Sequence, residues 1–153
     1  MWNAILTGVV LTTSGVFVGG LIMVAAAVVP AFRAVPCGTY VWMHQRLDHY
    51  IERYMPFTAG LTILTGLILS CQDLAPGTRA LNLVGVGLTV TVSAISQFGN
   101  VPLNKRVKAW SPEAPPPFLE KTRLLLRWRR LHLARVAAGV PALLAFTVAA
   151  LWR

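Results

Sequence analysis

Apolar and polar positions alternate in long blocks along this chain. No charged side chain occurs from Met1 to Phe32. A second apolar run lies between Met55 and Cys71, a third between Ala80 and Gly99, and a fourth between Val136 and Trp152. Crossing a bilayer core takes about 20 helical residues, with a range of roughly 17–25. The second and fourth runs are short but can borrow flanking residues, 50–54 and 131–135. The pattern therefore predicts four transmembrane helices, near 3–32, 41–71, 78–100 and 119–152. They form a single domain over 1–153, an all-α up-down four-helix bundle with helices 2 and 4 extended on the cytoplasmic side.

Within that frame, several local signals stand out. Pro30 is expected to end or kink helix 1. Gly15-x-x-x-Gly19 is a small-residue face suited to close helix contact, more readily inside the bundle than at a dimer seam. Helix 2 is polar in its first half, where His44, Asp48 and Glu52 recur at i, i+4 and i+8 on one face. Gln72-Asp73-Leu-Ala-Pro76-Gly77 is a turn. A rigid loop holding Trp110, Pro112 and Pro115 to Pro117 is expected over 101–118. Beyond it Trp128, His132 and Arg135 share one helical face, which continues through Gly139 and Ala142 as open space.

Composition agrees with the membrane reading: 56% of the 153 residues are hydrophobic and only 12% are charged. The formal net charge of +9 would suggest nucleic acid in a soluble domain. Here the cations are sorted by loop. Of 14 Lys and Arg, only Arg79 and Arg153 lie on one side. The rest cluster around the first and third connections, from Arg33 to Arg53 and from Lys105 to Arg135. The positive-inside rule then puts loops 1 and 3 in the cytoplasm and both termini outside, in what we read as a bacterial plasma membrane. The lipid bilayer is the expected partner and nucleic acid is not; a homo-oligomer stays open. The first helix lacks the basic start of a signal peptide and is about twice too long for one. Cys37 and Cys71 fall on opposite faces and read as plain thiols.

Polar groups at membrane depth are costly and mark function by default. They gather around the stretch that joins the last two apolar segments, at the mouth of the bundle: Asn100, Asn104, Arg127, Trp128, His132 and Arg135. His44, Asp48 and Glu52 could meet them from helix 2, or could hold a transition metal through histidine and carboxylate. The bland readings are an interfacial charged face for helix 2, headgroup contacts for Arg135, a belt role for Trp128 and helix capping for the asparagines.

The segment Asn100-Val-Pro-Leu-Asn104, the Pro-rich turn, Arg127-Trp128 and His132-x-x-Arg135 together resemble the anthrone-oxygenase-like family of small four-helix membrane proteins. Pro30-Ala-Phe and His44-Gln45-x-Leu-Asp48, with Arg53-x-Met-Pro56, fit the same pattern. The resemblance runs from about Gly15 to the end. It implies oxidation of an anthrone to an anthraquinone by molecular oxygen, without flavin or metal. On that chemistry His132 is the expected base, aided by a nearby Arg135 cation that favours the neutral imidazole. Asn100, Asn104 and Arg135 would be oxyanion donors. Trp128, Tyr54, His44 and Arg127 would bind a lipophilic aromatic or polyketide-like substrate. Two alternatives stand beside it. One is a membrane enzyme forming a nitrogen–nitrogen bond, a chemistry linked to related small membrane proteins. The other is a non-catalytic partner subunit or small transporter, which the lack of an internal repeat disfavours.

Overall fold

The computed structural model describes residues 1–72 and 74–152. Asp73 of the expected turn and Arg153, one of the two outer cations, lie outside the described residues. Four long helices account for most of the chain: α1 (Trp2–Ala34), α2 (Cys37–Ser70), α3 (Pro76–Lys108) and α4 (Phe118–Leu151). Each packs beside the next, and α4 closes the ring against α1. The expected helical bundle is therefore present.

Three of the four, α1, α3 and α4, are long and apolar enough to cross a membrane. The expectation of four such spans is met less fully by α2. Arg46, Asp48, Glu52 and Arg53 occupy its first half, and the apolar remainder over 55–70 rises only about 24 Å at 1.5 Å per residue, against a core of about 30 Å. Large side chains such as Phe57, Phe98 and Leu144 point away from the bundle, as a lipid-facing surface requires.

Pro30 neither ends nor breaks α1. Residues Val24–Val28 form a wide π-helical turn just before it, and Ser96–Asn100 form a second just before Pro102 in α3. A proline ring clashes with the carbonyl four residues back. For Pro30 and Pro102 those carbonyls belong to Ala26 and Phe98, inside the two wide turns. Widening the helix there relieves the clash, so both helices continue. The segment Val101–Lys108, expected as loop, is accordingly the helical end of α3. Pro56 and Pro141 are accommodated within α2 and α4 without such a turn.

Between apolar helices in lipid, burial alone contributes little, because the tails are as apolar as the side chains; close packing and interhelical hydrogen bonds decide. Close packing centres on Phe146 of α4, which fits against Gly66 and Gly85; a Cβ on Gly85 would lie 2.7 Å from its ring. Thr62 Oγ1 donates to Thr13 Oγ1 at 2.9 Å, joining α2 to α1. At the other end Gln45 Nε2 donates to the carbonyls of Val107 (3.1 Å) and Trp110 (2.9 Å), tying α2 to the end of α3 and its loop.

Three packing expectations need correction. Gly15 and Gly19 face open space within the chain, so that stripe is not the internal contact; Gly20, against Tyr54 and Met55, is. Gly139 leaves no void, because Leu21 and Val18 of α1 fill it. Lys121, grouped by sequence with the headgroup cations, is buried: its Nζ donates to Val35 O at 2.5 Å and lies over the Tyr40 ring.

Candidate active site

The site is built where the two wide turns meet the polar half of α2. On α4, Trp128 and His132 sit one turn apart, so their rings stack, with centroids 5.0 Å apart and planes 3° from parallel. Such a pair is worth about 0.5–1.5 kcal/mol beyond burial. On α3, Asn100 and Asn104 repeat one turn apart around the second wide turn. On α2, His44 and Asp48 do the same.

These residues bond across the helices. Trp128 Nε1 donates to Asn104 Oδ1 at 2.7 Å, and Asn104 Nδ2 donates to Asp48 Oδ1 at 2.6 Å. Asn100 Nδ2 donates to Trp128 O at 3.2 Å, while Asn100 Oδ1 is buried with no partner among the described residues. Lys108 Nζ lies 2.9 Å from Asp48 Oδ2 and 2.6 Å from Glu52 Oε2. One ammonium thus serves both carboxylates of the α2 face. Asn104, in contact on both sides of its amide, fixes the indole that supports His132.

The state of His132 follows from its partners. Its Nε2 lies 2.9 Å from Leu21 O. A carbonyl only accepts, so Nε2 carries the proton and the lone pair of a neutral imidazole is on Nδ1. Leu21 precedes the first wide turn and also receives the Val24 N–H. Nδ1 faces Arg135 Nη1 at 3.5 Å. Among the described residues no carboxylate pairs with Arg135, and its Nε is buried without a partner.

Two spaces adjoin these groups. An inner cavity of about 60 Å³ is lined by His44, Asp48, Asn104, Trp128, His132 and Arg135, with apolar side chains of α1 and α2. A groove of about 340 Å³ runs between α2 and α3, past Met55, Ala59, Ser96 and Asn100. Asp48, Ile51, Met55, Asn104 and Arg135 belong to both.

The structure thus brings together His132, Arg135, Trp128, Asn104 and His44, and sets Asn100 in the adjoining groove. It does not bring Tyr54 or Arg127. Tyr54 is turned outward against Gly20 of α1. Arg127 is exposed and lines a separate groove with Arg106 and Arg123, because one residue along a helix turns the side chain by about 100° from Trp128. The set His44, Asp48 and Glu52 is not assembled for a metal either: among the described residues no three such side chains gather. Lys108 holds the two carboxylates, and His44 turns instead into an aromatic cluster. Lys108 was the residue missed. Its spacing of four from Asn104 was the available signal, obscured by the run of neighbouring cations.

Comparison with known proteins gives one match. Neither the curated proteins nor the solved structures offer one. The sequence model of the family described as anthrone oxygenase matches residues 44–148, from the first histidine of α2 to the last turns of α4. The match covers more than half of the chain and takes in most of the residues that build the site, so this protein belongs to the anthrone oxygenase family.

Proposed function

We propose that the protein is a membrane-embedded oxygenase that converts an activated methylene of a flat, lipophilic aromatic, of anthrone type, to a carbonyl with molecular oxygen. Family membership points to oxygenase-type function; the substrate class and the residue roles are our own reading. His132 Nδ1 takes a proton from the methylene, which is acidic because it adjoins a conjugated carbonyl. Arg135 and Asn100 Nδ2 donate to the enolate oxygen that results. No metal or flavin enters this scheme, because an electron-rich enolate reduces oxygen directly.

One observation carries the reading: a neutral imidazole, its tautomer fixed by Leu21 O, turns its lone pair toward a guanidinium that, among the described residues, no carboxylate neutralises. An unpaired cation beside a base suits a reaction that creates an anion there. The groove also supports it, since its volume falls in the usual range of about 300–1,000 Å³ for small-molecule sites. Protein purified in detergent and incubated with anthrone and oxygen should form quinone faster than buffer alone, with one oxygen consumed per quinone. Absence of that excess would refute the proposal, and metal analysis of the active sample would test the metal-free scheme.

The sidedness of the site is part of the same reading. With both termini outside the cytoplasm, the end of the bundle that holds Lys108 against Asp48 and Glu52 faces the cytoplasm. With Cys37 and Cys71 first replaced by serine, a cysteine placed at the exposed Arg123 should resist an impermeant thiol reagent in intact cells; labelling from outside would reverse the topology.

A further inference from the structure

We propose that His44 is a second catalytic residue, on the oxygen side of the reaction: it binds the oxygen species in the inner cavity while the aromatic occupies the groove between α2 and α3. The inference rests on the oxidative reading above and assigns its two reactants to separate places.

His44 is 3% exposed, and among the described residues neither ring nitrogen has a hydrogen-bond partner. Leaving a buried polar group unsatisfied costs about 1–3 kcal/mol, and such a group calls for an explanation. Aromatic packing surrounds the ring. Phe32 stacks on it at 5.3 Å, and Tyr40 and Trp128 meet it nearly at right angles at 5.6 and 6.0 Å. Packing that fixes the ring yet uses neither nitrogen leaves both for something in the cavity it lines.

The size of that cavity restricts the occupant. One water needs about 10–15 Å³ on this measure, so about 60 Å³ accepts dioxygen or a peroxide group but not a fused aromatic. The groove does accept one. The two spaces meet at Asp48, Asn104 and Arg135, with His132 and His44 both on the inner side. A methylene at that junction would have His132 as its base and the oxygen pocket directly beyond.

The chemistry balances as follows. His132 removes one methylene proton, and the enolate carbon bonds to dioxygen. The outer oxygen takes a proton from His44, which regains it from His132, giving a hydroperoxide. Loss of the second methylene proton to His132 forms the carbonyl and breaks the O–O bond. The leaving hydroxide takes a proton through His44 and departs as water. Carbon loses four electrons and dioxygen gains four, with one oxygen atom in the ketone and the other in water.

The two half-reactions can be read separately. Anaerobic exchange of anthrone methylene protons in heavy water, above the buffer rate, reports deprotonation. Quinone formation under oxygen reports the whole sequence. His44→Gln and His44→Phe should keep exchange within about twofold of wild type and lose about 10²-fold or more in quinone formation, the scale of a lost proton-transfer group. Retained exchange also demonstrates that the His132 site is assembled in the variants. Loss of both reactions, or retention of both, would overturn the assignment while leaving the oxidative reading intact. If wild-type protein neither exchanges nor oxidises anthrone above the buffer rate, that reading fails and this one with it.

Discussion

Two aromatic side chains of α4 mark the two ends of the bundle, and they are held in opposite ways. Phe146 is enclosed by shape, with glycines on α2 and α3 letting the backbones come close around its ring. Trp128 is enclosed by hydrogen bonds and other rings, with Asn104 on its indole, Asn100 on its carbonyl and His132 across its face. The first end is filled, ring against glycine. The second must hold polar atoms at set positions, and the cavity beside it remains. Packing by shape favours stability, whereas a network of directed bonds favours position.

The contrast can be broken at either end. His132→Ala should have the largest effect, a loss of about 10²–10⁴-fold in quinone formation, with the bundle still folded and Tm lowered only modestly, because the bond to Leu21 O averages about 0.6 kcal/mol in lipid and the stack on Trp128 adds about 0.5–1.5 kcal/mol. A large fall in Tm would mean that His132 supports the fold and not the chemistry. Gly85→Ala should do the reverse. Its new Cβ would overlap the Phe146 ring, and overpacking costs about 1–3 kcal/mol, so thermal stability falls while the folded fraction keeps its specific activity. Unchanged stability would show that Phe146 has room to move.

Smaller effects sharpen the comparison. Trp128→Phe keeps a ring against His132 but removes the donor to Asn104, leaving Oδ1 buried and unpaired at a cost of about 1 kcal/mol. The expected signature is a modest loss of both activity and stability; loss of stability alone would separate the indole from the site. Gly19→Ala, on the uncovered face of α1, should change least, raising stability by up to about 0.5–1 kcal/mol through helix propensity. A drop in Tm, or a change in oligomeric state on sizing, would reveal that a second copy covers that face.

The fold was largely legible because apolar run length directly encodes membrane crossing. Much of the candidate site was legible too, since Trp128, His132 and Arg135 share a face at ideal helical spacing. Errors arose where neighbours in sequence were taken as neighbours in space. Arg127 adjoins Trp128 in the chain yet faces away from it, and Tyr54 turns to Gly20. Lys108 and Lys121 were hidden for another reason: in a run of cations, composition cannot tell which one folds inward. The helical course of Val101–Lys108 was obscured because a proline normally argues for a loop, and the wide turn that admits it has no sequence mark beyond the proline itself.

Those two wide turns also act as phase shifters. Each carries one residue more per turn than the helix around it, so everything beyond it is rotated relative to an unbroken helix. Winding the same residues of Val24–Val28 or Ser96–Asn100 at the ordinary helical pitch would turn the following segment by about 100°. Phe32 would then swing away from His44, or Asn104 from Trp128 and Asp48, with every site side chain still encoded. In this protein the length of the helix between two residues, counted to the single residue, is as much a part of the site as their identity.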